Sequence, residues 1–160
     1  FYYIKTLYNI FSPEGKAFFL PATGISGVPL LVNLLTGWKL KYGVLLCDNP
    51  ESIKVQKEIR ENLFLNEDNG MRENLRICKS FSGIENLFST IDFKKFVLKK
   101  RTGITQENLE FVSSNNINRM QLATSFALHC QNNVVTPGDF DEESQENIWL
   151  LVGIVDELLD

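Results

Sequence analysis

Apolar positions recur along this chain at two different periods. Residues 1–11 place Tyr3, Ile4, Leu7, Tyr8 and Phe11 at helical spacing, and Ser12-Pro13-Glu14-Gly15 ends that element. Ala17-Phe18-Phe19-Leu20 is a short unbroken apolar run, the pattern of a strand covered on both faces. Residues 23–29 predict a turn, and 28–37 a helix with Pro29 in its first turn and Gly37 at its end. Tyr42-Gly43-Val44-Leu45-Leu46 predicts a second buried strand, 51–63 a charged amphipathic helix, 66–73 a polar loop, and 75–78 a third short strand. Strand and helix in alternation imply right-handed crossovers and a parallel sheet with helices on both faces. Ligands in such sheets sit beyond the carboxyl ends of the strands, which points to the loops at 23–27, 47–51 and 79–85.

After residue 83 the period becomes helical throughout. Residues 83–89, 90–98, 104–112, 117–131 and 141–159 all read as helices, and Asp141 supplies a cap followed by the first-turn acids Glu142 and Glu143. The last helix carries a wide apolar stripe from Ile148 to Leu158, suited to a core or to a partner surface. The expected organisation is an α/β core over 1–82 and a C-terminal helical extension over 83–160 that completes the same domain.

Composition narrows the function classes. With 160 residues, 44% hydrophobic and 22% charged, the chain is long enough for one well-buried core and is not disordered. Its net charge of -4 means that nucleic acid would have to be held by a local patch. Lys94, Lys95, Lys99, Lys100 and Arg101 form the one dense basic cluster, readable as a solvated helix end or as a contact to a phosphate backbone. No apolar run has the roughly 18 to 20 residues a bilayer crossing needs, and no secretory signal is present. A cytoplasmic protein without a membrane partner is the expectation. Cys47, Cys78 and Cys130 are too widely spaced for a zinc knuckle and read as reduced thiols, while His129 has no second imidazole for a relay.

The chain opens at Phe1 inside a helical pattern without an initiator Met, which predicts a piece of a larger protein. Asp139, Asp141, Glu143 and Glu146 lack the sharp-turn Gly of a calcium loop. Thr23-Gly24-Ile25-Ser26-Gly27 is not followed by Gly-Lys-Ser/Thr, so this chain should not bind ATP itself.

The sharpest local chemistry lies where the 42–46 strand runs into Cys47-Asp48-Asn49. Polar residues there emerge at a sheet edge, where a carboxylate can hold Mg²⁺. The same-facing i and i+2 positions are Cys47 and Asn49, however, and Asp48 points the other way. Asp48-Asn49-Pro50 is equally good turn chemistry. A receiver or small-ligand module built on a phosphorylatable Asp48 would need a second acid beside it and a later Lys.

The stretch from Phe1 to about Glu61, and specifically the run LPATGISGVPLLVNLLTGWKLKYGVLLCDN at 20–49, resembles the Toprim (topoisomerase–primase) domain of the OLD (overcoming lysogenisation defect) family of ATPase-coupled nucleases. The likeness lies in a G-x-S-x-x-P turn, a Leu-rich helix, a W-x-x-x-x-G-V-L-L strand and the position of an Asp-x-Asp. Gly83-Ile84-Glu85-Asn86-Leu87-Phe88 with Asp92-Phe93-Lys94-Lys95-Phe96, residues 115–127, and Phe140 to Leu150 resemble later stretches of the same family. The resemblance implies a Rossmann-like parallel sheet and a divalent-metal nuclease domain joined to an upstream ABC-type ATPase, in systems that defend bacteria against phage. Within that family, acids and Mg²⁺ or Mn²⁺ activate water against a phosphodiester, and a Lys steadies the developing charge.

Carried over residue by residue, the resemblance makes Asp48, Glu85 and Arg119 the catalytic candidates and Asp48, Asn49, Glu51 and Glu85 the metal candidates. The family's first strand and its Glu fall upstream of Phe1. Cys47 and Asn49 occupy the Asp-x-Asp positions, and Arg119 stands where the family has Lys, with a different geometry. Loss of two anionic ligands removes most of the charge that draws a dication out of water, and a thiol suits Mg²⁺ poorly. The expected function is a Toprim domain with a degenerate metal site, acting as scaffold, oligomer contact or DNA-positioning element beside the ATPase and a separate effector or nuclease subunit. The alternative is an active Mg²⁺/Mn²⁺-dependent DNA endonuclease.

Overall fold

The computed structural model describes residues 1–22, 24–62, 75–78, 82–99, 103 and 105–159. The chain order is α1 (Tyr2–Phe11), a 3-10 turn at Ile25–Gly27, α2 (Val28–Gly37), β1 (Val44–Cys47), α3 (Pro50–Asn62), β2 (Leu75–Cys78), a 3-10 turn at Ile84–Leu87, α4 (Thr90–Asp92), a π-helical stretch at Phe93–Leu98, α5 (Asn108–Ser114), α6 (Arg119–Asn132), a 3-10 turn at Pro137–Asp139 and α7 (Glu142–Leu159). Among the described residues no helix is long and apolar enough to cross a membrane.

The expected doubly covered parallel sheet is not what this chain adopts. The protein is mostly helical. Its β-structure among the described residues is one parallel ladder of two four-residue strands, with Val44 opposite Leu75 and Cys47 opposite Cys78. The expected strand at 17–20 is absent, and Phe18 and Leu20 stand out in solvent at 100% and 61% exposure. The physical reason is coverage. An unbroken apolar run becomes an inner strand only where layers close over both its faces, and nothing covers Phe18. The expected loop at 66–73, together with Thr23, 79–81, Lys100 and Arg101, lies outside the described residues.

The chain groups into two compact units, Phe1–Lys16 with Gly83–Val152, and Ala17–Ser82 with Gly153–Asp160. In the second, Val28, Val32, Leu46, Val55 and Ile59 form the buried cluster, with Ile25, Tyr42, Val44 and Ile77 packed against it. Gly43 is required there, since a Cβ would lie 2.7 Å from Leu158 Cβ.

The first unit is built on aromatic rings. Tyr3 meets Phe88 and Phe126 at 5.6 and 5.4 Å between centroids, Phe88 meets Phe126 at 5.3 Å, and Phe140 meets Phe96 at 4.7 Å and Phe11 at 5.7 Å. Such pairs add to simple area burial because ring edges meet ring faces.

The helix N-termini of this unit are capped in an exchanged manner. Ser89 is the N-cap of α4, and its hydroxyl accepts from Asp92 N–H at 3.1 Å. Asp141, in the corresponding place before α7, accepts from Ser144 N–H at 2.9 Å, as its position in the sequence predicts. The third residue of each helix then serves the other helix. Asp92 accepts from Asp141 N–H at 2.8 Å, Ser144 Oγ accepts from Ser89 N–H at 2.9 Å, and the Ser89 hydroxyl donates to the Asp141 carboxylate. Two capping boxes have swapped halves.

Burial pushes the Asp92 carboxyl up, whereas at Asp141 the hydrogen bonds from Ser89 and Ser144 outweigh burial and hold it below its ordinary value. Asp141 therefore contributes stability that is complete above the ordinary carboxyl range and is lost as pH falls through its lowered value, while Asp92 favours the fold at acid pH. Replacing Asp141 by Ala removes a cap from one helix and a partner from the other. The expected loss is about 2 kcal/mol. In urea denaturation, Ser89→Ala and Asp141→Ala should couple by about 0.5 kcal/mol or more, against simple additivity for distant sites.

Candidate functional site

Gly83 lies so close to α5 that a Cβ would approach Leu109 Cδ2 to 2.6 Å, so a glycine lets the Ile84–Leu87 turn pack there. Asn108 locks that turn from behind: its amide nitrogen donates to the carbonyls of Glu85 and Phe88 at 3.0 and 2.7 Å. Asn86 adds a second tie, accepting from Leu109 N–H at 2.9 Å and donating to Glu107 at 3.0 Å. The turn therefore carries Glu85 inward, to 1% exposure.

A buried carboxylate needs a counter-charge, and Arg119 supplies it. Arg119 is the first residue of α6, whose N-cap Asn118 accepts from Gln121 N–H at 3.0 Å. From there its Nε donates to Glu85 Oε1 at 2.6 Å and its Nη2 to Oε2 at 2.7 Å. Both carboxylate oxygens are taken by one planar fork. The Arg119 side chain is itself 54% exposed, so the pair is dry on one side and wet on the other. Tyr3 lies in the same field: burial first, then Glu85, push its phenol well above the usual range, and Arg119 opposes them. The Tyr3 hydroxyl and Asn108 Oδ1 are buried and find no hydrogen-bond partner among the described residues.

The other candidates fall in the second unit. β1 ends at Cys47, Asn49 N–H donates back to the Cys47 carbonyl at 3.1 Å, and Asn49 Oδ1 accepts from Ser52 N–H at 2.9 Å. Asn49 thus caps α3, and Glu51 is exposed in its first turn. Glu85 and Arg119 are brought together; Asp48, Asn49 and Glu51 share the start of α3. No group of three His, Cys, Asp or Glu suited to a metal ion occurs among the described residues.

Of the basic cluster, Lys95 Nζ donates to the Asp139 carbonyl at 2.9 Å and lies 4.3 Å from the Phe96 ring centre, while Lys99 Nζ reaches Ser125. The Asn108 lock was not singled out in the sequence. Its signal is faint: an Asn at the start of a helical stretch, among many polar residues. No family model, curated protein or solved structure matches this chain.

Removing one partner of a buried pair strands the other charge. Arg119→Met should cost about 3 kcal/mol in chemical denaturation, and the double variant Glu85→Leu/Arg119→Met should recover most of that loss.

Proposed function

We propose that this chain is the C-terminal module of an OLD-family ATPase–nuclease of a bacterial anti-phage system, and that it no longer cuts by metal chemistry of its own. Its role is that of a scaffold, an oligomer contact or a DNA-positioning element in the cytoplasm. ATP is bound by an upstream ABC-type domain of the same protein, and any cutting is done by a separate subunit. The reading rests on the sequence likeness alone, since among the described residues the only β-structure is the β1–β2 ladder.

The observation that carries it is the use made of the retained polar groups. Both oxygens of Glu85 are spent on Arg119, and the amide oxygen of Asn49 is spent on capping α3. A Mg²⁺ ion is bound through carboxylates that keep free oxygens and through waters. To ligate one, Glu85 would have to give up a two-point contact with a guanidinium while staying buried. Arg119 is likewise committed: a guanidinium already gripped by a buried anion is poorly placed to neutralise charge developing elsewhere.

Calorimetric titration of the protein with Mg²⁺ and Mn²⁺ should give no binding heat that depends on Asp48 or Glu85. Plasmid incubated with the protein, Mn²⁺ and ATP should stay supercoiled. Nicking abolished by Asp48→Ala would overturn this reading in favour of the active endonuclease.

A further inference from the structure

Helix α2 turns apolar side chains outward as well as inward. Val28 and Val32 are buried in the core of their unit, while Leu30, Leu34 and the capping residue Trp38 follow one another at i, i+4 and i+8 on the opposite side. Leu30 and Trp38 are 63% and 67% exposed. No residue of α2 is charged. A surface helix ordinarily puts polar residues on its outer face, and a row of large apolar side chains there marks an interaction surface. From Gly15 to Cys47 the chain has three lysines, Lys16, Lys39 and Lys41, and no acid, and Lys39 stands exposed beside Trp38.

Helix α7 presents the opposite charge. Its 18 residues include five acids and no lysine or arginine. Glu142, Glu146, Trp149 and Gly153 are exposed at i, i+4, i+7 and i+11, with Leu150 exposed beside them. Trp149 touches the Phe11 ring on one side, at 5.1 Å between centroids, and is otherwise open. Gly153 lies inside the helix, where only proline is a poorer helix former. A Cβ there would meet nothing within 4 Å among the described residues. Packing within the chain gives no reason for this glycine, whereas close approach of another backbone does.

Charge decides which surfaces of this chain can meet. At a net charge of -4, two copies repel each other in most orientations. The orientation that reverses the sign sets the lysine-bearing, acid-free stretch of one copy against the acidic α7 of another. Both faces also carry a tryptophan, the side chain that most often anchors a protein interface. Their lengths agree: Leu30 to Trp38 spans about 12 Å and Glu146 to Gly153 about 10 Å at the rise of a helix.

We propose that the outer face of α2 docks on the outer face of α7 of a second copy of this chain. The two helices lie antiparallel. Lys39 meets Glu142 and Glu146, and Leu34 and Leu30 run along Trp149 and Leu150 toward the notch at Gly153. The carbonyl end of α2 then faces the amide end of α7, an arrangement the helix dipoles favour. The contact gives content to the oligomer role proposed above but is argued from these two faces, so the metal and plasmid experiments stand or fall separately.

The test is sedimentation equilibrium of the full chain from about 1 to about 500 μM, where the mass should rise above that of one copy. Trp38→Ala should weaken self-association at least about tenfold, as loss of an aromatic anchor does. Gly153→Gln suits a helix better, so it should hold or raise the melting temperature while weakening self-association about fivefold. Lys39→Glu and Glu146→Lys should each weaken it. An equimolar mixture of those two should associate at least about fivefold more tightly than either alone, because the reversed α2 of one copy meets the reversed α7 of the other. A mass that stays at one copy throughout overturns the proposal and leaves α2 to an unlike partner. Self-association indifferent to Trp38→Ala, or a mixture no tighter than its components, overturns it as well.

Discussion

A carboxylate sunk into an aromatic core has to be neutralised, and much of the first unit is arranged around that need. Glu85 is buried because Gly83 and Asn108 draw its turn against α5, while Phe88 takes its place among the rings of Tyr3, Phe126 and Phe140. Arg119 must then begin α6 at the right place and height. The ion pair ties the turn at residue 85 to the helix at residue 119, and the aromatic contacts between Tyr3, Phe88 and Phe126 tie the same pieces together with α1. Hydrophobic packing supplies most of the favourable free energy in such an arrangement. The ion pair contributes register, since a slipped α6 would leave a buried charge without its partner.

The same pair determines what chemistry is open to the site. A carboxylate free to bind metal and a cation free to meet a phosphate are separate resources, and here each has consumed the other. Asn49 tells a parallel story on a smaller scale, as a residue at a metal-ligand position by resemblance whose oxygen terminates a helix.

Helix was readable where the apolar period was long and the caps were explicit. Residues 28–37 coincide with α2, and the Asp141 cap stands where the acid-rich stretch before Ile148 predicts it. The strands expected at 42–46 and 75–78 correspond to β1 at Val44–Cys47 and β2 at Leu75–Cys78. What misled was 17–20: four apolar residues in a row say nothing about whether a layer will cover them, and Phe18 is left in water. The inward pull on Glu85 was equally hidden, because it depends on a glycine touching Leu109 and an amide 23 residues away, neither of which has a local signature. The exchanged caps were half visible. Asp141 reads as a cap in the sequence and Ser89 does not, and nothing local says that the two helix starts will trade partners.

That trade bears on how the chain is made. Hydrogen bonds between Ser89 and Asp141, and between Ser89 and Ser144, join residues 52 and 55 positions apart. During synthesis α4 emerges well before α7, and until Asp141 arrives half of its cap is missing. A short helix of this kind gains little from its own propensity. The segment from Ser89 onward therefore matures only when the far end of the chain has been delivered, and a nascent chain halted near residue 140 holds α4 in an unfinished state.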